Sequence, residues 1–198
     1  MPHLLRRPFR GIAVHSTFVL AVLTAAGAAS AQNFSVGIGA GSDRGRVDCV
    51  PSFPCDRSST NWKLTGAYRF ADVYDVQLAY FHGGRFEGGD TTPLGTQFGG
   101  RFKVDGMGLT AGYRWTFAPA WSAVARFGAS SMRTRFDYAN ALAAGVSKTT
   151  LQPLAGIGVG YAITPSLRLG IGYDMTRFKV HTTRGSLRML GVAAQLSF

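Results

Sequence analysis

From Asn33 to Phe198 this chain alternates: apolar side chains recur at every second position in eight separate stretches. Side chains two apart share one face of an extended strand, so each stretch reads as a strand with one apolar face. No apolar run in this region approaches the ~18 residues that a membrane helix needs. The final stretch sharpens the constraint. Leu190, Val192, Ala194, Leu196 and Phe198 fall on one face, and Met189, Gly191, Ala193, Gln195 and Ser197 on the other. A strand that ends on an aromatic is best explained as paired on both sides, as the closing strand of a barrel is.

The other seven stretches follow the same rule. Phe34, Val36, Ile38 and Ala40 oppose Ser35 and glycines within 33–41, and Trp62, Leu64, Tyr68 and Phe70 oppose Lys63, Thr65, Ala67 and Arg69 within 61–70. Tyr74, Val76, Leu78 and Tyr80 oppose Asp75, Gln77 and Ala79 within 73–82. A longer stretch, about 101–117, sets Met107, Leu109, Ala111, Tyr113, Trp115 and Phe117 against Gly108, Thr110, Gly112, Arg114 and Thr116. From Trp121, Ala123, Ala125, Phe127 and Ala129 oppose Ser122, Val124, Arg126 and Gly128. Residues 149–163 place Leu151, Ala155, Ile157, Val159 and Tyr161 opposite Gln152, Gly156, Gly158 and Gly160, with Leu154 breaking the pattern. Leu167, Leu169, Ile171, Tyr173 and Met175 oppose Arg168, Gly170, Gly172 and Asp174 within 167–176. Each stretch is close to the ~9–11 residues with which a tilted strand crosses a bilayer.

The connections alternate between short and long. Ala71-Asp72, Ala118-Pro119-Ala120 and Thr164-Pro165-Ser166 are tight turns, whereas 42–60, 83–100, about 131–148 and 177–186 are long and polar. Transmembrane barrels have short periplasmic turns and longer external loops. With the amino terminus on the periplasmic side, every connection falls where this rule puts it. Phe34, Tyr68, Phe70, Tyr74, Tyr113, Trp115, Phe117, Trp121, Tyr161 and Phe198 then collect at the periplasmic rim, and Trp62, Tyr80 and Tyr173 at the outer one. Amphipathic rings favour both interfaces. The fold expected is therefore an all-β, eight-stranded antiparallel up-and-down transmembrane β-barrel spanning 32–198.

Residues 1–31 read as an export signal. Arg6, Arg7 and Arg10 precede an apolar run from Gly11 to Ala29, and Ala29-Ser30-Ala31 supplies the small residues of a cleavage site. An uncleaved anchor helix is the rival, but the small-x-small end favours cleavage before Gln32. Cleavage leaves 18 Lys+Arg against 10 Asp+Glu, a net charge of +8. Export also passes Cys49 and Cys55 through an oxidising compartment, where a local disulfide is expected. Two thiols alone make a poor zinc site, which wants four ligands.

The hairpins Tyr68-Arg69-Phe70 to Tyr80, Tyr113-Arg114-Trp115 to Phe127 and Tyr161 to Tyr173, with the terminal Ala194, Leu196 and Phe198, resemble the small outer-membrane β-barrel family of the OmpA transmembrane domain, OmpX and the opacity-type surface proteins. The resemblance covers the whole chain after the signal. It implies the outer membrane of a Gram-negative bacterium, and reading of Ala194, Leu196 and Phe198 by the barrel-assembly machinery. It is specific for architecture and weak for activity, because the family includes adhesins and structural barrels.

An eight-stranded barrel is just wide enough inside for side chains to fill. The inward polar set expected is Lys63, Arg69, Asp75, Gln77, Arg114, Arg126, Gln152, Arg168 and Asp174, locked into ion pairs with a surplus of cations. A plugged lumen is favoured over a narrow pore, which the many inward glycines keep open as an alternative. The long loops and adjoining strand ends carry twelve basic residues, among them Arg44, Arg85, Lys103, Arg135, Lys148 and Arg177, and fewer acids. Such a crown suits the phosphates of lipopolysaccharide or polyanionic surface sugars, or else is a solvated surface. Nucleic acid is disfavoured by export. His82 and His181, with Asp90, Thr183 and Ser186 as possible partners, are expected to be rim residues and not parts of a lipid-modifying active site. The expectation is a monomer with no catalysis, cofactor or metal, acting in membrane structure or surface interaction.

Overall fold

The structure is a computed structural model that describes residues 33–46, 49, 51–91, 97–138, 145–180 and 183–198, without the side chains of 90–91, 97–98, 179–180 and 183–184. The expected signal segment and its cleavage point, and His181, lie outside the described residues.

Eight strands form: β1 (Phe34–Gly45), β2 (Ser58–Phe70), β3 (Tyr74–Thr91), β4 (Gln97–Ala118), β5 (Trp121–Tyr138), β6 (Val146–Ala162), β7 (Leu167–Val180) and β8 (Thr183–Ser197). Each pairs antiparallel with the next in chain order, and β8 pairs with β1 to close the barrel. The closing strand is bonded on both sides: Leu196 stands opposite Leu167 on β7 and opposite Val36 on β1. The Phe198 N–H donates to the Phe34 carbonyl at 2.8 Å. Among the described residues no strand is left as a free edge, which is how a sheet satisfies its backbone in hydrocarbon.

At the end that carries the tight turns, Phe70 pairs with Tyr74 around Ala71 and Asp72, both with positive φ (51° and 52°). The turn before β7 is held by the Leu167 N–H donating to Thr164 Oγ1 at 2.9 Å. Above these turns the outward positions are apolar, as the alternation requires. Ile38, Leu109, Ile157 and Val192 are all near 60% exposed, a cost in water and a gain in lipid. Rings follow one another around this rim, Phe70 with Tyr74 at 5.9 Å, Tyr74 with Tyr113 at 5.6 Å, and Trp121 with Tyr161 at 5.1 Å between centroids. Trp62 and Tyr80 make a second contact at 5.4 Å towards the other end.

Two expectations need correction. The segments read as long loops are mostly strand. β3 and β4 continue as a ladder to Thr91–Gln97, β5 and β6 to Phe136–Val146, and β7 and β8 to Val180–Thr183. The lumen, moreover, is not polar throughout. In the outer half Phe81, Phe86, Val104, Met132, Phe136, Phe178, Leu187 and Met189 point inward and are at most 5% exposed. The two corrections have one cause: hydropathy inverts along β3, β4, β5, β7 and β8. On β4, Met107 to Phe117 are apolar at odd positions facing out, while Phe102 and Val104 are apolar at even positions facing in. Below the inversion the barrel is built for lipid, and above it the barrel is built like a soluble β-barrel. Such a strand loses its apolar outer stripe where it leaves the membrane, and its sequence then looks like a polar loop.

On β3 the inversion is completed by a bulge between His82 and Arg85, opposite Asp105 and Lys103. The extra residue shifts the alternation by one, turning Phe86 in and Arg85 out. Gly83 and Gly84 occupy the bulge. A Cβ on Gly84 would overlap the Ser59 side chain, so only glycine fits there.

Candidate functional site: the lumen and the outer wall

Lumen chemistry is asymmetric. The lining from β6, β7, β8 and β1 is rich in glycine, including Gly37, Gly158, Gly170 and Gly191, while β2 to β5 supply most of the long polar side chains, joined by Arg168 and Asp174 from β7 and Gln195 from β8. Those side chains reach across. Lys63 Nζ lies 2.5 Å from Asp174 Oδ2, joining β2 to β7. Asp75 receives both Arg114 and Arg126 at 3.3 Å. Asp75 is 2% exposed, and a buried carboxylate is stable only when its oxygens are engaged in this way. Gly112 and Gly156 make the space, since a Cβ on either would run into Asp75 or Asp174.

Of the nine inward polar residues expected, Lys63, Asp75, Arg114, Arg126 and Asp174 form ion pairs. Gln77 is buried beside them and lines the same cavity. Arg69 and Arg168 face the lumen with no carboxylate partner among the described residues, each with a buried Nε lacking an acceptor. Gln152 stands apart, opposite Ser130, at the level where apolar lining begins. Asp43, fully buried, accepts from Asn61. Between the charged groups lies a cavity of about 110 Å³.

Above it sits an apolar plug. Phe81 covers Gly106, Phe178 covers Gly185 and Phe86 covers Gly45; a Cβ at Gly106 would come within 2.7 Å of Phe81 and Met132. Leu154, the residue out of pattern in its strand, is 5% exposed and fills the space over Gly108. Sequence reasoning missed this plug. The signal was there in Phe102-x-Val104 and Met132-x-Thr134-x-Phe136, apolar at the parity that faces inward.

The outer wall of the protruding part is charged, and register orders the charges. His82 on β3, Asp105 on β4 and Arg133 on β5 form one row. Glu87, Arg101 and Asp137 form another, four residues further out along β4 and β5. Both rows mix signs: His82 Nδ1 contacts Asp105, and Arg101 bonds Glu87 at 3.1 Å. Between them Arg85 stands opposite Lys103, and Lys103 opposite Arg135. This middle row is all positive across three strands, with Ser147 next on β6. Like charges directly opposite one another destabilise a ladder. On the far side Arg44 faces Arg188 across the β1–β8 seam.

The bulge at Gly83-Gly84 brings Arg85 into that row, so sequence spacing alone could not find it. His82 is held by Asp105 and stacks on Trp62 at 5.8 Å, an arrangement of an interfacial ring. Ser186 lies on β8, opposite Arg177, and the side chains of Asp90 and Thr183 are outside the described residues. Cys49 and Cys55 are bonded, with Cα atoms 5.7 Å apart. The loop they close lays Phe53 over Gly99 of β4 and is tied to β3 by reciprocal backbone bonds between Asp56 and Glu87, each 3.0 Å.

A closed antiparallel barrel with a lipid-facing apolar belt and a polar, ion-paired lumen is an integral outer-membrane protein, and this one resides in the outer membrane of a Gram-negative bacterium. The model of the outer membrane protein beta-barrel domain matches residues 16–198, and the chain belongs to that family. Among solved structures it is similar to Neisserial surface protein A, at 18% identity and a TM-score of 0.61 over 83% of this chain and 97% of that one. It is similar also to Ail of Yersinia pestis in complex with the heparin analogue sucrose octasulfate, at 18% identity and a TM-score of 0.52 over 83% and 98%. The amino-terminal barrel of Pseudomonas aeruginosa OprF gives 14% and 0.55 over 83% and 97%. At these identities the likeness is one of fold. No curated protein matches the sequence.

Proposed function

We propose that this protein is a non-catalytic surface-interaction barrel whose outer wall binds polyanions through the Arg85–Lys103–Arg135 row. The observation that carries this reading is the register: three cations directly opposite one another, between rows in which His82 contacts Asp105 and Arg101 bonds Glu87. Such a row costs stability unless an anion lies across it. It stands just above the outer aromatics Trp62 and Tyr80, the depth at which lipopolysaccharide phosphates lie, and it is open to sulfated or phosphorylated saccharides from outside. Ail, a barrel of the same fold, takes a polysulfated sugar. Outer-membrane lipids, lipopolysaccharide and a polyanionic surface ligand are the partners, and the protein acts as a monomer. Ala194, Leu196 and Phe198 serve as the signal to the assembly machinery.

The narrow-channel reading is disfavoured by the apolar plug, whose buried Phe81, Met132, Phe178 and Leu187 fill the outer lumen among the described residues. The lipid-modifying reading is disfavoured because His82, held by Asp105, stacks on Trp62 without a hydroxyl nucleophile bonded to it among the described residues.

The test is binding of lipopolysaccharide and of sucrose octasulfate to the protein and to a variant carrying Arg85→Gln, Lys103→Gln and Arg135→Gln. Affinity should fall about tenfold or more in the variant and weaken with added salt, while folding stability holds or rises. Equal affinity in the two proteins would remove the row as the binding surface.

A further inference from the structure

We propose a second, internal anion site: the inner half of the lumen holds one small oxyanion of the phosphate type between the guanidiniums of Arg114 and Arg168, with Arg69 at its mouth. It is independent of the outer row and opens to the opposite end of the barrel.

Charge balance is the starting point. Five cations face this part of the lumen, Lys63, Arg69, Arg114, Arg126 and Arg168, against two carboxylates, Asp75 and Asp174, while a third inward carboxylate, Asp43, lies further out and is held by Asn61. Asp174 is taken by Lys63, and Asp75 is shared by Arg114 and Arg126. Arg69 and Arg168 have nothing negative left to meet. Arg114 lies within electrostatic reach of Arg168, Arg126 and Arg69, and Arg168 within reach of Arg69. A surplus of buried positive charge in one small space is costly unless it is paired.

Hydrogen bonding points the same way. The Nε donors of Arg69, Arg114 and Arg168 and the Ser122 hydroxyl are buried without a protein partner. Arg114 is 7% and Ser122 3% exposed, so these donors are largely withdrawn from bulk water. Arg114, Arg168 and Ser122 all line the 110 Å³ cavity, which has room for several waters or for one tetrahedral oxyanion. Water would satisfy the donors but leave the charge uncompensated. An oxyanion does both, because a guanidinium fork matches the oxygens of phosphate or carboxylate.

Access is set by the plug. Phe81, Met132, Leu154 and Met189 close the lumen above the cavity, so the anion enters from the end with the tight turns, past Arg69 beside Phe70. The glycines of β6, β7 and β8, among them Gly158, Gly170 and Gly191, leave space around Arg168.

The experiment is titration of inorganic phosphate into the closed barrel in phosphate-free micelles, by calorimetry and by phosphorus NMR, with sulfate, acetate and chloride as competitors. Saturable one-to-one binding is expected, competed by sulfate far better than by chloride. Arg168→Gln and Arg69→Gln, each confirmed closed by its compact unboiled gel band, should weaken it about tenfold or more. Lys103→Gln with Arg135→Gln on the outer wall should leave it unchanged. If one lumen variant does not close, the other decides. Three results would overturn the site: no saturable phosphate binding to the wild type, wild-type binding in the closed lumen variants, or binding lost only in the outer-wall variant.

Discussion

Lys63 and Asp174 are 111 residues apart in sequence and 2.5 Å apart in the lumen, an ion pair strung between β2 and β7. Its two halves are not equivalent. Removing Asp174 adds to a surplus of cations, whereas removing Lys63 relieves it. Asp174→Asn should therefore cost more than Lys63→Gln. Both side chains are about one-fifth exposed, so solvent screens the pair, and a cost of about 1–3 kcal/mol is expected for the aspartate change. Urea unfolding in lipid vesicles measures both. A larger loss for Lys63→Gln would contradict the charge balance drawn here.

The plug makes a paired prediction about stability and conductance. Phe81 is 1% exposed and packs over Gly106. Phe81→Ala should cost about 3–5 kcal/mol, the range for emptying a packed aromatic site. In planar bilayers the parent protein should be silent, and Phe81→Ala combined with Phe178→Ala should leak. Steady conductance from the parent would show that the outer lumen is not closed.

Ile157 projects into the lipid belt, 63% exposed, beside inward Gly156 and Gly158. Ile157→Arg should destabilise the barrel in bilayers by about 2–4 kcal/mol if it lies near the midplane. Arg135→Ile, on the outer wall above the belt, should change stability far less. Vesicle-based unfolding of the two variants checks the boundary of the belt.

Ala71 occupies the left-handed region at φ 51°, where a Cβ crowds its own backbone. Ala71→Gly removes that penalty at the turn, although glycine also loosens the unfolded chain. The net effect expected is neutral to stabilising, up to about 1 kcal/mol. A clear loss of stability on the same unfolding assay would mean the turn is held in another conformation.

Period-two alternation by itself determined the all-β class, the eight strands, the lipid-facing side of each and the short turns at one end. That information is local: lipid rewards one face of a strand, and side chains two apart share it. The ionic lumen was legible to the same extent, since Lys63, Asp75, Arg114, Arg126 and Asp174 stand at inward parity, though which carboxylate meets which cation depends on strands brought together from across the chain.

The outer half was decided only by tertiary structure. Where a strand leaves the bilayer its apolar and polar faces exchange, and the residues of 83–100 and 131–148 look like loop until closure shows what their inward positions touch. The bulge at Gly83-Gly84 shifts β3 by one residue and sets Arg85 beside Lys103. Register is a property of paired strands, and a one-residue shift turns every later side chain to the other face. The cationic row exists only once β3, β4 and β5 are paired in this register, and the aromatic plug only once the cylinder is shut.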